Sequence, residues 1–184
     1  MIVEFFALGI PQPQGSTRAF VRRRRRTGRL YAAVTSDNAR LKPWREAMSW
    51  AAARARRAAG LDGPATGPVC VAATFWLPAP ARLRVKVRRG VEVACITKPD
   101  VDKLLRGLLD ALSGVVYADD SQVVAAYAQK RYTVAAAGVS VRVGMGHAGG
   151  EAPELLVPAM LTCRAIEALP PDSGDGSPGP GDGR

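Results

Sequence analysis

Four aspartates stand close together in this chain: Asp100 and Asp102 in Lys98-Pro-Asp-Val-Asp-Lys-Leu-Leu-Arg106, and Asp119 and Asp120 in Tyr117-Ala-Asp-Asp-Ser-Gln122. They are four of only 16 acidic residues, and 26 lysines and arginines surround them. Carboxylates gathered in a basic protein suit phosphodiester hydrolysis, which uses a metal ion to activate water and to offset charge at phosphorus. A hard cation such as Mg²⁺ takes oxygen ligands and keeps several waters, so two or three carboxylates suffice. Asp-x-Asp in an extended segment would turn Asp100 and Asp102 to one face, and Pro99 favours such a conformation at Lys98. Asp119-Asp120 would then bring a third ligand from a distant segment. Two plainer readings stand beside this one: Asp102 as a helix N-cap, and Asp119-Asp120-Ser121 as a turn before a strand. His147 is the single histidine, and Cys70, Cys95 and Cys163 form no CxxC pair. A zinc site or a histidine-based triad is thereby nearly excluded, and the cysteines read as reduced core residues.

The formal charge is +10, and it is unevenly spread. Residues 151–184 are net acidic, with Glu151, Glu154, Glu167, Asp172, Asp175 and Asp182 against Arg164 and Arg184, so the body of the protein is more basic than the whole. A basic body of this kind points to a polyanion, with nucleic acid the default partner. The densest cationic run is Arg22-Arg23-Arg24-Arg25-Arg26, preceded by Arg18 and followed by Arg29; a second patch runs from Arg82 to Arg89. No stretch reaches the roughly 20 apolar residues of a membrane span. With no signal-peptide pattern and reduced thiols, a cytoplasmic protein is expected.

These residues must be positioned by a fold, and 184 residues are enough for one domain with its own core. Ile2–Leu8 reads as a first strand, ended by the Pro11-Gln-Pro-Gln-Gly15 loop. Ala19–Val21 and Leu30–Ala32 read as a hairpin with the arginine run at its tip. A helix is expected from Pro43, capped by Asp37 or Asn38, with Trp44, Ala47, Met48, Ala51, Ala55 and Ala58 inward. Val69–Leu77 is a strand; Ala81–Gly90 is an exposed strand or a loop; Val91–Ile96 is a short strand. A second helix is expected from Asp102 to Leu112, with Leu104, Leu105, Leu108, Leu109 and Leu112 inward. Gln122–Thr133 and Val139–Val143 read as two strands, paired antiparallel across Ala135–Gly138. The order is α+β: a single small domain with a mixed or antiparallel sheet and two main helices. The expected division is a domain over 1–146, an extension with a short helix over 147–169, and a disordered tail over 170–184.

Lys98-Pro-Asp-Val-Asp-Lys-Leu, Leu109-Asp-Ala-Leu112 and Val116-Tyr-Ala-Asp-Asp-Ser-Gln-Val-Val124 together resemble the RusA family of Holliday junction resolvases. The likeness is dense over residues 98–124 and looser at Pro11–Arg18 and the Trp44 helix. It implies an α+β homodimer that places paired nicks in four-way DNA junctions using Mg²⁺. By motif position it makes Asp100, Asp102 and Asp120 the metal-binding acids. The family usually has Asn where this chain has Lys103, and a catalytic Lys where it has Arg106. Arg106 keeps the positive charge but is a poor proton donor.

The resulting expectation is a Mg²⁺-dependent endodeoxyribonuclease of DNA recombination and repair. Asp100, Asp102, Asp120 and Arg106 are its catalytic residues, while Arg18, Arg22–Arg26 and Lys103 contact DNA. Phe20, Tyr31 and Tyr117 are candidates to stack on unpaired bases, and Lys130-Arg131 could add a phosphate contact. Trp44, Trp50 and Trp76 read as core or dimer-contact residues. The alternatives are a nuclease for other branched or flap DNA, and a DNA-binding protein whose active site has decayed.

Overall fold

A computed structural model describes residues 1–15, 17–23, 27–36 and 38–146; for residues 17–20, 22 and 31–36 only the backbone is described. The strands are β1 (Ile2–Leu8), β2 (Thr17–Arg23), β3 (Leu30–Ser36), β4 (Val69–Pro78), β5 (Val123–Thr133) and β6 (Gly138–Met145). The helices are α1 (Leu41–Ala58), α2 (Arg84–Arg88) and α3 (Val101–Leu112), with single 3-10 turns at Ala81–Leu83 and Asp120–Gln122. One mixed sheet has the order β1-β6-β4-β5, and β2–β3 form a separate antiparallel hairpin. The expected α+β class is what the chain adopts. Among the described residues no helix is long and apolar enough to cross a membrane.

β4 is apolar from Val69 to Leu77 except at Thr74 and is buried on both faces, so it needs a neighbour on each edge. It takes β6 antiparallel on one side and β5 parallel on the other. The expected β5–β6 hairpin is therefore wrong: the two strands do not pair, and the chain between them crosses the end of β4. Pro78 ends β4 there, and the next amide, Ala79, donates to the Thr133 carbonyl. Gly138 makes the crossing possible, because a Cβ at that position would lie 2.4 Å from the Ala7 carbonyl oxygen.

The parallel β4–β5 pair requires a crossover, and α3 supplies it. Leu104, Leu108 and Leu112 of α3 and Leu41, Trp44, Met48 and Ala52 of α1 join Val71, Ala73 and Phe75 of β4 in one core. Each such leucine, fully buried, stabilises the fold by roughly 1.5–3 kcal/mol. The α1 helix starts two residues earlier than expected, with Pro43 in its first turn, where a missing amide donor costs nothing. Asp37 lies outside the described residues. Asn38 is not the N-cap; its Oδ1 accepts from Arg40 N, and its Nδ2 donates to Gln12 Oε1 and to the Pro13 carbonyl.

The Ala81–Gly90 segment is neither strand nor loop but a 3-10 turn followed by α2. The alternation of Leu83, Val85 and Val87 imitates a strand, yet the helix follows Pro80 and closes at Gly90, whose φ of 77° lets Val91 N donate back to the Lys86 carbonyl. Val91–Ile96 forms no strand either; only Ala94 bridges to Arg131. Trp44 and Trp76 are core residues, whereas Trp50 is 74% exposed on α1. Cys70 is buried in β4, which pushes its thiol pKa up, and Cys95 is half-buried. Cys163 and the expected divisions at 147–169 and 170–184 lie outside the described residues.

Candidate active site

Asp100 is not in an extended pair with Asp102. It occupies the N-cap position of α3, with φ −71° and ψ 141°, and Asp102 lies in the helix's first turn. The helical pattern of Leu104, Leu108 and Leu112 starts the helix before the second aspartate, which breaks the period-two geometry expected of Asp-x-Asp. Both carboxylates are exposed. Acidic groups at a helix N-terminus are favoured by the peptide dipoles.

The approach to Asp100 is held from β5. The Lys130 ammonium donates to the Thr97 and Pro99 carbonyls, each at 2.8 Å. One residue on, Arg131 bridges to Ala94 and pairs with Glu92 at 2.5 Å. Thr97 Oγ1 and the Tyr132 hydroxyl are 2.9 Å apart. Three consecutive residues of one strand thus fix the segment that delivers Asp100. The sequence reading of Lys130 as a phosphate contact missed this role. The signal was the cluster of carbonyls at a proline-containing turn, which is invisible without the fold.

Lys103 sits one turn along and meets Asp100 at 3.1 Å. The hydrogen bond and charge of Lys103 hold the Asp100 carboxyl below its ordinary range, with Lys98 and Lys130 adding to the effect. The Lys103 carbonyl accepts from Gln14 N, so the Pro11–Gly15 loop docks on the same end of α3. Arg106, exposed, follows Asp102 by four residues and shares its side of the helix.

Asp119 and Asp120 divide their tasks. Asp119 Oδ1 accepts from Ser121 N at 2.9 Å, and Gln122 Oε1 accepts from Asp119 N at 2.8 Å, which makes a capping box. The hydrogen bonds that Ser121 gives its side chain hold the Asp119 carboxyl low. Gln122 Nε2 then donates to the Ala65 and Gly67 carbonyls, tying the turn to the start of β4. Asp120 is exposed and next in line. Tyr117 is fully buried and donates its hydroxyl to the Leu109 carbonyl, so it is not available to stack on a base; burial raises its pKa.

The three expected acids are not gathered within one chain. Among the described residues, no three His, Cys, Asp or Glu side chains are grouped so that they could hold a metal ion. As single donors they fit a hard cation: each is an exposed carboxylate, and Asp100 is held ionised by its neighbours. Of the expected DNA contacts, Arg24–Arg26 lie outside the described residues. Arg18 and Arg22 stand on β2, whose register pairs Arg22 with Tyr31. Arg23 is exposed, its Nε donating to the Gly28 carbonyl across the hairpin turn.

Exposed carboxylates thus stand beside Lys103 and Arg106 on the crossover helix of a basic α+β domain. The chain belongs to the RusA endodeoxyribonuclease family, whose model matches residues 11–144. The family is one of Holliday-junction-resolving endonucleases that generally depend on a divalent metal. The chain is also 29% identical over 137 residues, 71% of its length and 88% of the relative's, to the uncharacterized protein YqaN of Bacillus subtilis (strain 168).

Proposed function

We propose that this protein is a Mg²⁺-dependent, homodimeric resolvase that cuts four-way DNA junctions by paired nicks during recombination and repair in the cytoplasm. Residues 1–146 form its nuclease domain. The observation that carries this reading is the end of α3, where Asp100 and Asp102 stand exposed beside Lys103 and Arg106.

Asp100, Asp102 and Asp120 would hold the ion, which when bound supplies Lewis-acid polarisation of the phosphate and a lowered pKa for the attacking water. Asp100 arrives ionised and needs no deprotonation. Lys103, beside Asp100 at the start of α3, is placed to turn to the phosphate. Arg106 donates to the non-bridging oxygens as negative charge builds on them. Arg18 and Arg22–Arg26 track phosphates along the hairpin and set the junction on the protein, supplying affinity rather than sequence selection. A four-way junction presents two equivalent strands, which a two-fold dimer matches with one site each. The test is nicking of labelled junctions with Mg²⁺ and with chelator; cutting that continues in chelator overturns the metal assignment.

A further inference from the structure

The cationic stretch Arg82–Arg89 takes no part in the site at the start of α3. Folded as a 3-10 turn and α2, it packs against β5. Leu83 and Val87, one helical turn apart, are half-buried, while Arg82, Arg84, Lys86, Arg88 and Arg89 are all exposed. No acid occurs from Ala79 to Val91. The next one, Glu92, is paired with Arg131 at 2.5 Å. Among the described residues, none of these cations pairs with a carboxylate. Arg82 and Lys86 repel each other across one turn, as do Arg84 and Arg88. A bound polyanion removes that repulsion.

Arg84 and Arg88 also form one wall of a cleft of about 300 Å³, with Thr133, Val134 and Ala135 as the opposite wall. The Arg84 Nε donates to the Ala79 carbonyl at 3.3 Å, which fixes the side chain at the cleft. Guanidinium forks match the oxygens of a phosphate. The cleft lies on the sheet edge that also carries the approach to Asp100. β5 is that edge strand, and its Lys130 holds the Thr97 and Pro99 carbonyls. Thr133 stands three residues beyond Lys130, roughly 10 Å along the strand. Each strand of a duplex carries a phosphate about every 3.4 Å of axis, so roughly three base pairs span that separation.

Resting on the reading of this protein as a junction nuclease, we infer that α2 is a second contact for the DNA backbone. Arg84 and Arg88 grip phosphates of the arm that is cut, about three base pairs from the scissile one. Arg82, Lys86 and Arg89 surround them with positive charge. The partner is duplex DNA, held by its backbone and not by its bases.

The test measures junction binding in chelator, so that no cutting intervenes. R84Q/R88Q should bind more weakly than wild type, and its plot of log affinity against log salt should flatten by roughly 0.9 for each arginine. R88Q alone leaves the Arg84 bond to Ala79 in place and should flatten the plot by about half as much. R54Q/R57Q removes as much charge from exposed positions on α1 and should leave the slope unchanged. Neutral methylphosphonate linkages, placed one at a time along each arm, then locate the contact. They should weaken wild-type binding about three base pairs from the cut and leave R84Q/R88Q unaffected there. A slope that R84Q/R88Q does not change, or that R54Q/R57Q flattens equally, overturns the α2 contact. So do methylphosphonates that weaken variant and wild type alike at every position. Wild type that binds no junction overturns the nuclease reading first, and this contact with it.

Discussion

The Lys130 ammonium lies 2.8 Å from the carbonyl oxygen of Pro99, the residue that precedes Asp100. With a second bond to Thr97 at the same distance, one strand side chain ties down two carbonyls of the turn that presents the carboxylate. Groups of this kind act on a metal through its ligand, and their loss typically costs 10- to 100-fold in metal affinity or activity. Lys130→Met should therefore raise the Mg²⁺ concentration for half-maximal cutting by roughly 10-fold or more, with junction binding unchanged in the absence of metal. Lys130→Arg, which keeps two donors, should recover most of the loss. A Mg²⁺ titration of single-turnover cutting reads this directly; an unshifted midpoint for Lys130→Met denies the coupling.

Substituting Asp100, Asp102 or Asp120 by Asn should abolish cutting and leave junction binding intact or tighter, since each change also removes repulsion against phosphate. Asp119→Asn should behave differently. Its carboxylate caps the Asp120–Gln122 turn, so its loss should lower the melting temperature by a few degrees and leave cutting largely in place. Gel shifts, cleavage assays and melting curves on the four variants separate the roles. Equal inactivation by Asp119→Asn would show that the cap, and not Asp120 alone, matters to the chemistry.

Arg106 and Lys103 stand where the resemblance read in the sequence expects Lys and Asn. If Arg106 only offsets charge, Arg106→Lys keeps most activity and Arg106→Ala loses roughly 10²-fold or more, the scale of one lost transition-state donor. If it must also deliver a proton, Arg106→Lys cuts faster than wild type, because an amine titrates and a guanidinium does not. Lys103→Asn should lower the Mg²⁺ requirement, since Lys103 competes with the ion for Asp100 at 3.1 Å. Single-turnover rates at saturating protein distinguish these outcomes, and a wild-type rate for Arg106→Ala removes it from the reaction.

Most elements were legible because their patterns are local. The stripe of Trp44, Met48 and Ala52 and that of Leu104, Leu108 and Leu112 declare two helices, and the apolar run of β4 declares a central strand. What failed depended on partners distant in sequence. Nothing in residues 122–143 says that β4 lies between β5 and β6; that follows from β4 needing two edges covered. Alternating Val and Arg in α2 looks extended until Pro80 and Gly90 are read as the limits of a helix. Asp100, Asp102 and Asp120 could be picked out by motif. That Asp100 and Asp102 start α3 while Asp120 stands in the turn before β5 is a property of the crossover, and no motif displays it.

The hairpin makes its own prediction. Replacing Arg22–Arg26 by Ser should weaken junction binding and flatten the dependence of log affinity on log salt by roughly 0.9 for each phosphate that is no longer neutralised. Fluorescence anisotropy across a salt series measures the slope. An identical slope means that the arginines do not reach the backbone.

The central claim is metal-dependent cutting selective for four-way junctions. Its most direct measurement incubates the full chain with end-labelled four-way, flap and linear duplex DNA, each with Mg²⁺ and with chelator, and D102N in parallel. The account predicts paired nicks in the four-way junction alone, only with Mg²⁺, and none from D102N. Equal cutting of flap or linear DNA, cutting in chelator, or junction binding with no cleavage under any condition would contradict it.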